Sequence, residues 1–372
     1  WEAAVRLAGP AGVEPDREME LRCAHVSALA HAGAVRAAMQ ARDAAIDRAR
    51  GDAQLVAALT SFDAPAPWTI RVDARLVERR VALLQQQVRS CTDPRTRSRL
   101  LAMLVLETES AADDVAASAA DEVMEVSAGL DPATRAIALN ARGFTVNGPD
   151  RRAELAAVGR ELAELADLAR LPGYRALAHH YEFMVAAEHL RFAEAQQHAD
   201  AAVAVAPGGQ LGFTLGWSAI YQALRALIEG DAEGAERLYT AVGERMTAAG
   251  EANGATAGLI GRIAARHARG RHGELADAVL SSPASAVPAF QDLVAAVLVA
   301  AGRTAEAARV WRPDLDPPRT YYWHLWMVAR SEAAIGLGHR AVAAHCYTEL
   351  MPWAATLAGV SSGSIKFGPV AA

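Results

Sequence analysis

The sequence contains few cysteines and almost no lysine. Its 372 residues include three cysteines, Cys23, Cys91 and Cys346, which lie far apart and form no CxxC pair. This spacing argues against a disulfide framework and a zinc knuckle, and it favours a reducing, cytoplasmic environment. Lysine occurs once, at Lys366, so arginine carries nearly all of the positive charge.

Positive charge is not in excess, and long apolar runs are missing. The chain has 37 basic and 43 acidic residues, for a net charge of -6, which argues against a surface built to neutralise nucleic-acid phosphates. The most apolar run, residues 293–301, is well short of the roughly 20 residues that cross a bilayer. We therefore expect no membrane span and no direct contact of this segment with nucleic acid.

Motifs for phosphate binding and nucleophilic catalysis are absent or out of context. There is no GxxxxGK[ST] and no GxGxxG after a strand pattern. Gly359-Val-Ser-Ser-Gly363 matches GxSxG, but a nucleophile elbow needs a preceding strand, a following helix and a later histidine. The last histidine, His345, lies upstream of the motif. A Gly/Ser loop is the better interpretation.

The histidines also give no metal signature. The densest group of the eleven is His179, His180, His189 and His198, and no HExxH accompanies it. Solvent or groove positions explain these four better than a metal does. Since no acid/base, nucleophile or metal constellation is recognisable, we predict a non-enzymatic protein without catalytic residues, metal or cofactor.

A helical repeat is the strongest signal that the sequence does contain. Gly230 ends an apolar helix where a residue without Cβ can adopt a left-handed cap, and Asp231 follows as an N-cap for a second helix. The pattern predicts two amphipathic helices joined by a tight turn. Their apolar faces are Trp217, Ile220, Tyr221, Leu224, Leu227 and Ile228 in the first helix and Ala232, Ala235, Leu238, Tyr239 and Val242 in the second.

Copies of this hairpin recur along the chain. From residue 190 onward their turns are 32 to 40 residues apart. The period, the small residues at the turns and the lack of any strand pattern predict an all-α, right-handed solenoid of about nine tetratricopeptide-like hairpins, which forms one domain over residues 1–372. Most apolar residues should then pack neighbouring helices. The turns are at Gly33, Arg191, Gly230, Gly270, Gly302 and Gly338, with weaker copies near Arg71, Ser110 and Gly148.

Four irregular, proline-containing loops interrupt the repeat. They lie near residues 61–71, 206–210, 281–288 and 313–319, and proline cannot continue a helix. Because repeats resume on both sides, we place no domain boundary there. The shortened period between Gly270 and Gly302 predicts a kink.

Aromatic residues concentrate near the end of the chain, where eight of the 21 fall within the last 62 residues. Tyr322, Trp326 and Arg330 share one helix face. Such residues either pack in the core or offer a ligand surface that combines aromatic rings with arginine. If the first helix of each hairpin lines a concave groove, the candidate partner-binding residues are Trp217, Tyr221, Arg225, Arg262, Arg266, Tyr322, Trp326 and Arg330.

Two loop-borne stretches carry a family resemblance. The segment from Leu59 to Arg71, with its Phe-Asp-Ala-Pro-Ala-Pro-Trp run, resembles the start of the C-terminal tetratricopeptide region of large actinobacterial transcriptional regulators. These are the AfsR/SARP and ATP-binding LuxR-like types. Near the other end, Leu350-Met-Pro-Trp-Ala and Phe367-Gly-Pro-Val-Ala371 look like elements that precede a last hairpin in the same group.

The resemblance implies a regulatory arm. In such regulators the DNA-binding and nucleotide-binding domains lie upstream, and the repeat array modulates them. Because Trp1 opens on what looks like the tail of a helix, we expect a fragment of a longer regulator whose concave face recognises a protein partner or a small-molecule effector. The alternatives are a freestanding scaffold for protein assembly, unrelated to transcription, and an enzyme built on the array. A second copy of the chain is a further possible partner, which would make the protein a homo-oligomer.

Overall fold

Helices account for the regular structure of the chain. The computed structural model describes residues 2–8, 13–66, 74–108, 114–205, 212–251 and 253–370. Within these ranges there is no β-strand, only one isolated antiparallel bridge between Leu357 and Pro369. The nineteen α-helices of the described ranges are α1 Glu2–Ala8, α2 Pro15–His31, α3 Val35–Arg48, α4 Asp52–Leu59, α5 Ala74–Ser90, α6 Pro94–Thr108, α7 Asp114–Val126, α8 Pro132–Thr145, α9 Arg152–Ala169, α10 Pro172–Glu188, α11 Phe192–Ala204, α12 Gly212–Ile228, α13 Ala232–Ala248, α14 Gly254–His267, α15 Ala276–Ser281, α16 Gln291–Ala300, α17 Thr304–Val310, α18 Trp323–Gly336 and α19 Arg340–Leu350.

Consecutive helices pack against each other, which confirms the predicted all-α repeat array. The pairs include α2 with α3, α6 with α7, α8 with α9, α10 with α11, α12 with α13, and α18 with α19. The predicted turns at Gly33, Gly230, Gly270, Gly302 and Gly338 all join such elements and all have positive φ. The weaker copies near Arg71 and Ser110, the loop at 206–210 and part of the loop at 61–71 lie outside the described residues.

The turn at Gly230 has the predicted geometry. Its φ is 94°, and the Asp231 carboxylate accepts a 2.8 Å hydrogen bond from the Gly234 amide at the start of α13. At the Arg191 turn the left-handed position is taken by Leu190, with φ 58°, in place of a glycine. The prediction that Leu238 belongs to the apolar face of α13 is wrong, because Leu238 is exposed. The buried residues of this helix include Ala235, Tyr239, Val242 and Met246.

The unit between Gly270 and Gly302 is the most irregular described part of the array. Its second helix is reduced to a 3-10 turn at His272–Leu275 and the six-residue α15. Two further 3-10 turns, Pro283–Ala286 and Pro288–Phe290, occupy the predicted loop at 281–288. Prolines that cannot continue a helix account for this shortened unit.

A charged cluster is buried between α3, α5 and α6. Glu107 accepts hydrogen bonds from both Arg42 and Arg80, and Arg80 also donates to Asp43 at 2.8 Å and 3.0 Å. Both guanidinium side chains are 2% exposed. Two arginines therefore neutralise two carboxylates in the interior. These arginines stabilise the packing of helices and are not part of a binding surface.

The array also makes contacts between distant repeats. The carbonyl oxygen of Arg319 lies so close to Gly148 that a Cβ there would be 2.3 Å away, and the Arg319 guanidinium pairs with Asp150. In an open solenoid each repeat contacts only the adjacent repeats. The contact of Gly148 with Arg319 is therefore additional to the predicted packing between neighbouring helices. No helix in the described part of the chain has both the length and the apolar character needed to cross a membrane.

Candidate functional site: the inner face of the array

Residues 357–370 fold into a compact loop, here called the C-terminal loop. The Ala358 amide donates to the Gly368 carbonyl at 2.9 Å, and the Phe367 amide donates to the Ala358 carbonyl at 2.8 Å. At its tip, a 3-10 turn lies between Gly359 and Gly363, which have φ of 86° and 70°. The GxSxG match is therefore a tight turn between two left-handed glycines.

The tip of the C-terminal loop is held by hydrogen bonds from distant helices. The hydroxyl of Tyr239 on α13 donates to the Ser364 carbonyl at 2.6 Å, and the Tyr322 hydroxyl shares a 2.9 Å hydrogen bond with Oγ of Ser364. Lys366, the single lysine, donates to the Leu227 carbonyl at 3.4 Å, close to the end of α12. A cation there also interacts favourably with the helix dipole.

Apolar contacts complete this insertion. A Cβ at Gly363 would lie 2.4 Å from the ring of Phe183 and 2.8 Å from Nε1 of Trp217, so only glycine fits between α10 and α12. Val360, Ile365 and Phe367 are each no more than 2% exposed. Val360 joins the apolar core around α8 to α12, whereas Ile365 and Phe367 join the core formed from α12 to α19. The loop thus connects two halves of the interior.

A second irregular segment, the early loop at residues 61–66, is held in the same way. Asn140 on α8 accepts from the Ala66 amide at 2.9 Å and donates to the Ala66 carbonyl at 2.8 Å. Tyr174 on α10 donates to the Asp63 carbonyl at 3.0 Å. Burial would raise the pKa of Asp63, but hydrogen bonds from His31 and Ser27 outweigh it and lower the pKa.

Both loops contact α10, through Tyr174 and Phe183. The early loop is anchored by α8 and α10, and the C-terminal loop contacts α10, α12, α13 and α14. We call the surface of these helices the inner face. Most of its polar anchors bind main-chain atoms, as Asn140, Tyr174 and Tyr239 do. Such contacts hold the main chain of an irregular polypeptide segment, while the buried Val360, Ile365 and Phe367 make the fit depend on side chains as well.

Most of the predicted groove aromatics lie in the interior. Trp217, Tyr221 and Trp326 are nearly completely buried. Trp217 and Tyr221 meet the ring of Phe183 edge-on at 4.9 Å and 4.6 Å between ring centroids, and Trp326 packs against Phe290. Tyr322 alone among the four predicted aromatics makes a hydrogen bond to the C-terminal loop.

The predicted arginines separate into a buried one and three at the periphery. Arg330 is 1% exposed and binds Asp292 and the carbonyls of Arg312 and Pro313, so it holds the irregular segment before α18. Arg225 bonds to Gln196 and Glu229. Arg266 pairs with Glu236 and Glu274, and Arg262 is half-buried on α14.

The predicted histidine group does not converge on one point. His179 and His198 approach each other, with their Nδ1 atoms 3.2 Å apart. His180 packs edge-on against Trp217, and burial lowers its pKa to about 3. His189 bonds to a carbonyl of its own helix. His180 is therefore buried in the interior and does not occupy the predicted solvent or groove position.

Two polar clusters of the folded chain are not apparent from the sequence. Glu188 pairs with Arg152; burial raises the pKa of Glu188 although Arg152 and Ser361 act to lower it. The other cluster joins His267, His272 and Glu332, whose possible ligand atoms all lie within 4.8 Å of one another. The short spacing of His267 and His272 around the turn at Gly270 is a sequence signal that these two side chains lie close together. Glu332, two helical hairpins further along, could not be connected to them from local sequence.

Comparisons with known proteins give no match. No family model, no curated protein and no solved structure resembles this chain significantly.

Proposed function

We propose that the chain is a non-catalytic binding module whose inner face recognises an extended segment of a protein partner. The observation that carries this proposal is the hydrogen bonding of Ser364 by Tyr239 and Tyr322. The inner face already binds one irregular polypeptide segment, the C-terminal loop. A partner segment would use the same anchors once that loop leaves, so the loop acts as an internal competitor.

The sequence resemblance suggests where such a module works. The stretches that carry it, around 59–71 and 350–371, include the early loop and the C-terminal loop. As a regulatory arm, the array would exchange its own loop for a partner segment and pass this change to upstream domains of a transcriptional regulator. Such coupling requires that the partner binds the loop-released state more tightly than the loop-bound state.

The loop exchange can be tested with the variant Gly363→Ala in the full chain. The added methyl group collides with Phe183 and Trp217, so the C-terminal loop should be displaced. Lys366, the chain's single lysine, is half-buried and donates to the Leu227 carbonyl. Displacement of the loop should free its amine, which should then be acylated faster than in the wild type, as measured by mass spectrometry of the peptide that contains it. Far-UV circular dichroism verifies that the helices persist.

Peptide binding completes the test. A synthetic peptide of residues 356–370 should bind Gly363→Ala but not the wild type in fluorescence anisotropy, and a scrambled peptide should bind neither. Adding Tyr239→Phe to the variant should weaken the peptide at least several-fold, because one main-chain hydrogen bond is lost. Equal binding of the scrambled peptide, or a displaced loop with no peptide binding, would refute an inner face that recognises this loop segment.

The regulator and the freestanding scaffold differ in the reading frame upstream of Trp1. A phosphate loop and a helix-turn-helix encoded there support the regulatory arm. A start codon within a few residues of Trp1 supports the scaffold. Either result leaves the peptide-binding test intact, because that test concerns only the inner face.

A further inference from the structure

A cluster of two histidines and one glutamate lies beside the C-terminal loop. His267 is the last residue of α14, and His272 begins the 3-10 turn that follows Gly270. Glu332 lies on α18 and faces both rings. Its Oε1 is 2.6 Å from Nε2 of His267, and its Oε2 is 3.8 Å from Nε2 of His272. Three elements of the array therefore meet at one carboxylate.

A simple histidine–glutamate pair accounts for only part of this arrangement. It satisfies His267, whereas Nε2 of His272 lies beyond hydrogen-bond distance of the carboxylate. Nδ1 of His272 is buried and has no hydrogen-bond partner among the residues that the structure describes. The second imidazole is thus held near the carboxylate without the hydrogen bond that would explain its position.

We propose that His267, His272 and Glu332 bind a divalent transition-metal ion of the zinc type. Imidazole nitrogen and carboxylate oxygen are common zinc ligands, and three protein ligands with a water in the fourth position form a known type of zinc site. Bonds of about 2.0–2.1 Å in a tetrahedron place ligand atoms roughly 3.3 Å apart. The two nitrogen–oxygen distances, 2.6 Å and 3.8 Å, lie on either side of that value.

The surroundings allow an ion to enter. The three side chains are 21%, 13% and 31% exposed, in the order His267, His272 and Glu332, so water reaches the cluster. In contrast, the terminal guanidinium nitrogens of Arg152, also without partners in the described part of the chain, are sealed from solvent. The histidine cluster is therefore the better candidate for an added ligand.

A metal here would connect separate parts of the array. It would tie the end of α14 and the following turn to α18. The ring of Phe367 in the C-terminal loop stacks on His267 with 4.0 Å between centroids. By fixing His267, the bound ion would stabilise the position of the C-terminal loop. Metal binding itself does not depend on whether the inner face binds a peptide.

The experiment measures zinc binding by the full chain with isothermal titration calorimetry at neutral pH, with cobalt absorption as a second probe. We expect one equivalent of Zn²⁺ and a tetrahedral Co²⁺ spectrum. Glu332→Gln and His272→Gln should each lower the affinity at least tenfold. His198→Gln should not, although His198 also lies beside another histidine.

Several results would overturn the site. These are no saturable zinc binding by the wild type, unchanged binding in both Glu332→Gln and His272→Gln, or loss of binding in His198→Gln. Circular dichroism of each metal-free variant separates loss of a ligand from loss of the fold. If His272→Gln does not fold, the half-buried Glu332→Gln decides the question, because it removes a ligand charge while preserving side-chain volume.

Discussion

The Tyr239 hydroxyl donates a 2.6 Å hydrogen bond to the carbonyl of Ser364, 125 residues further along the chain. Tyr239 is nearly fully buried, and its ring also lies against Gly261, where a Cβ would be 2.1 Å from the ring. Contact with α14 thus orients the tyrosine, and its hydroxyl fixes the C-terminal loop. One side chain couples the packing of two helices to the position of the loop.

Removing this hydroxyl should loosen the loop. Tyr239→Phe leaves the Ser364 carbonyl without its donor, so the free energy of unfolding should fall by about 1–3 kcal/mol. Lys366 should also be acylated faster. Tyr347→Phe is the matched control, because Tyr347 is 68% exposed and should change neither quantity. A slower or equal acylation rate in Tyr239→Phe would contradict the anchoring role. Urea denaturation and mass spectrometry provide the measurements.

The buried charge cluster should be far more sensitive than a surface pair. Glu107→Gln leaves Arg42 and Arg80 buried with one negative charge fewer, which should lower the free energy of unfolding by about 3–5 kcal/mol. Glu154→Gln removes a carboxylate that pairs with Arg151 and is 45% exposed. This substitution should lower the free energy of unfolding by at most about 1 kcal/mol. Chemical denaturation of both variants checks the contrast; similar losses would show that the cluster contributes no more than a surface pair.

A glycine turn and a helical glycine should respond to alanine in opposite directions. Gly230 has φ 94° and no atom within 4 Å of an added Cβ, so Gly230→Ala should cost about 1–2 kcal/mol through backbone strain alone. Gly216 lies within α12 with room for a methyl group. Gly216→Ala should therefore stabilise the chain by about 0.5–1 kcal/mol. Melting temperatures test the signs, and stabilisation by Gly230→Ala would rule out the strained turn.

Acid should destabilise the protein partly through His180. Burial lowers the pKa of this imidazole from 6.5 to about 3, so the unfolded chain binds a proton more readily. The stability that neutral His180 contributes is complete above pH 6.5 and is lost as the pH falls toward 3, by up to about 1.4 kcal/mol per pH unit. The variant His180→Gln has no imidazole at this position, so it lacks this pH-dependent contribution to stability. Its stability relative to the wild type should rise steadily between pH 7 and pH 5 in urea titrations; a constant difference would exclude the effect.

Local signals explain what the sequence could predict. Positive φ at Gly33, Gly230 and Gly338 favours a residue without Cβ, and the Asp231 cap needs only the next three residues. Such signals recur with each hairpin, so the repeat array could be recognised. Leu190 shows their limit, because nothing in its own chemistry indicates a left-handed turn.

Contacts between distant residues explain what the sequence could not predict. The helical pattern identifies Trp217 and Tyr221 as apolar-face residues, but it does not reveal whether that face meets another helix, an inserted loop or a partner. Only the folded array places Gly363 between Phe183 and Trp217. For the same reason, Glu332 could not be grouped with His267 and His272, since no periodicity connects an α14 turn to α18.

The contact between Gly148 and Arg319 has a mechanical consequence. An open helical-repeat array extends under tension as a soft spring, because each repeat can tilt relative to the next without breaking contacts. Here Gly148 lies against the Arg319 carbonyl, and the C-terminal loop joins the two apolar cores. Stretching the array between residue 148 and residue 319 must first break this contact, so that part of the array should resist small forces stiffly and then yield in a single large step.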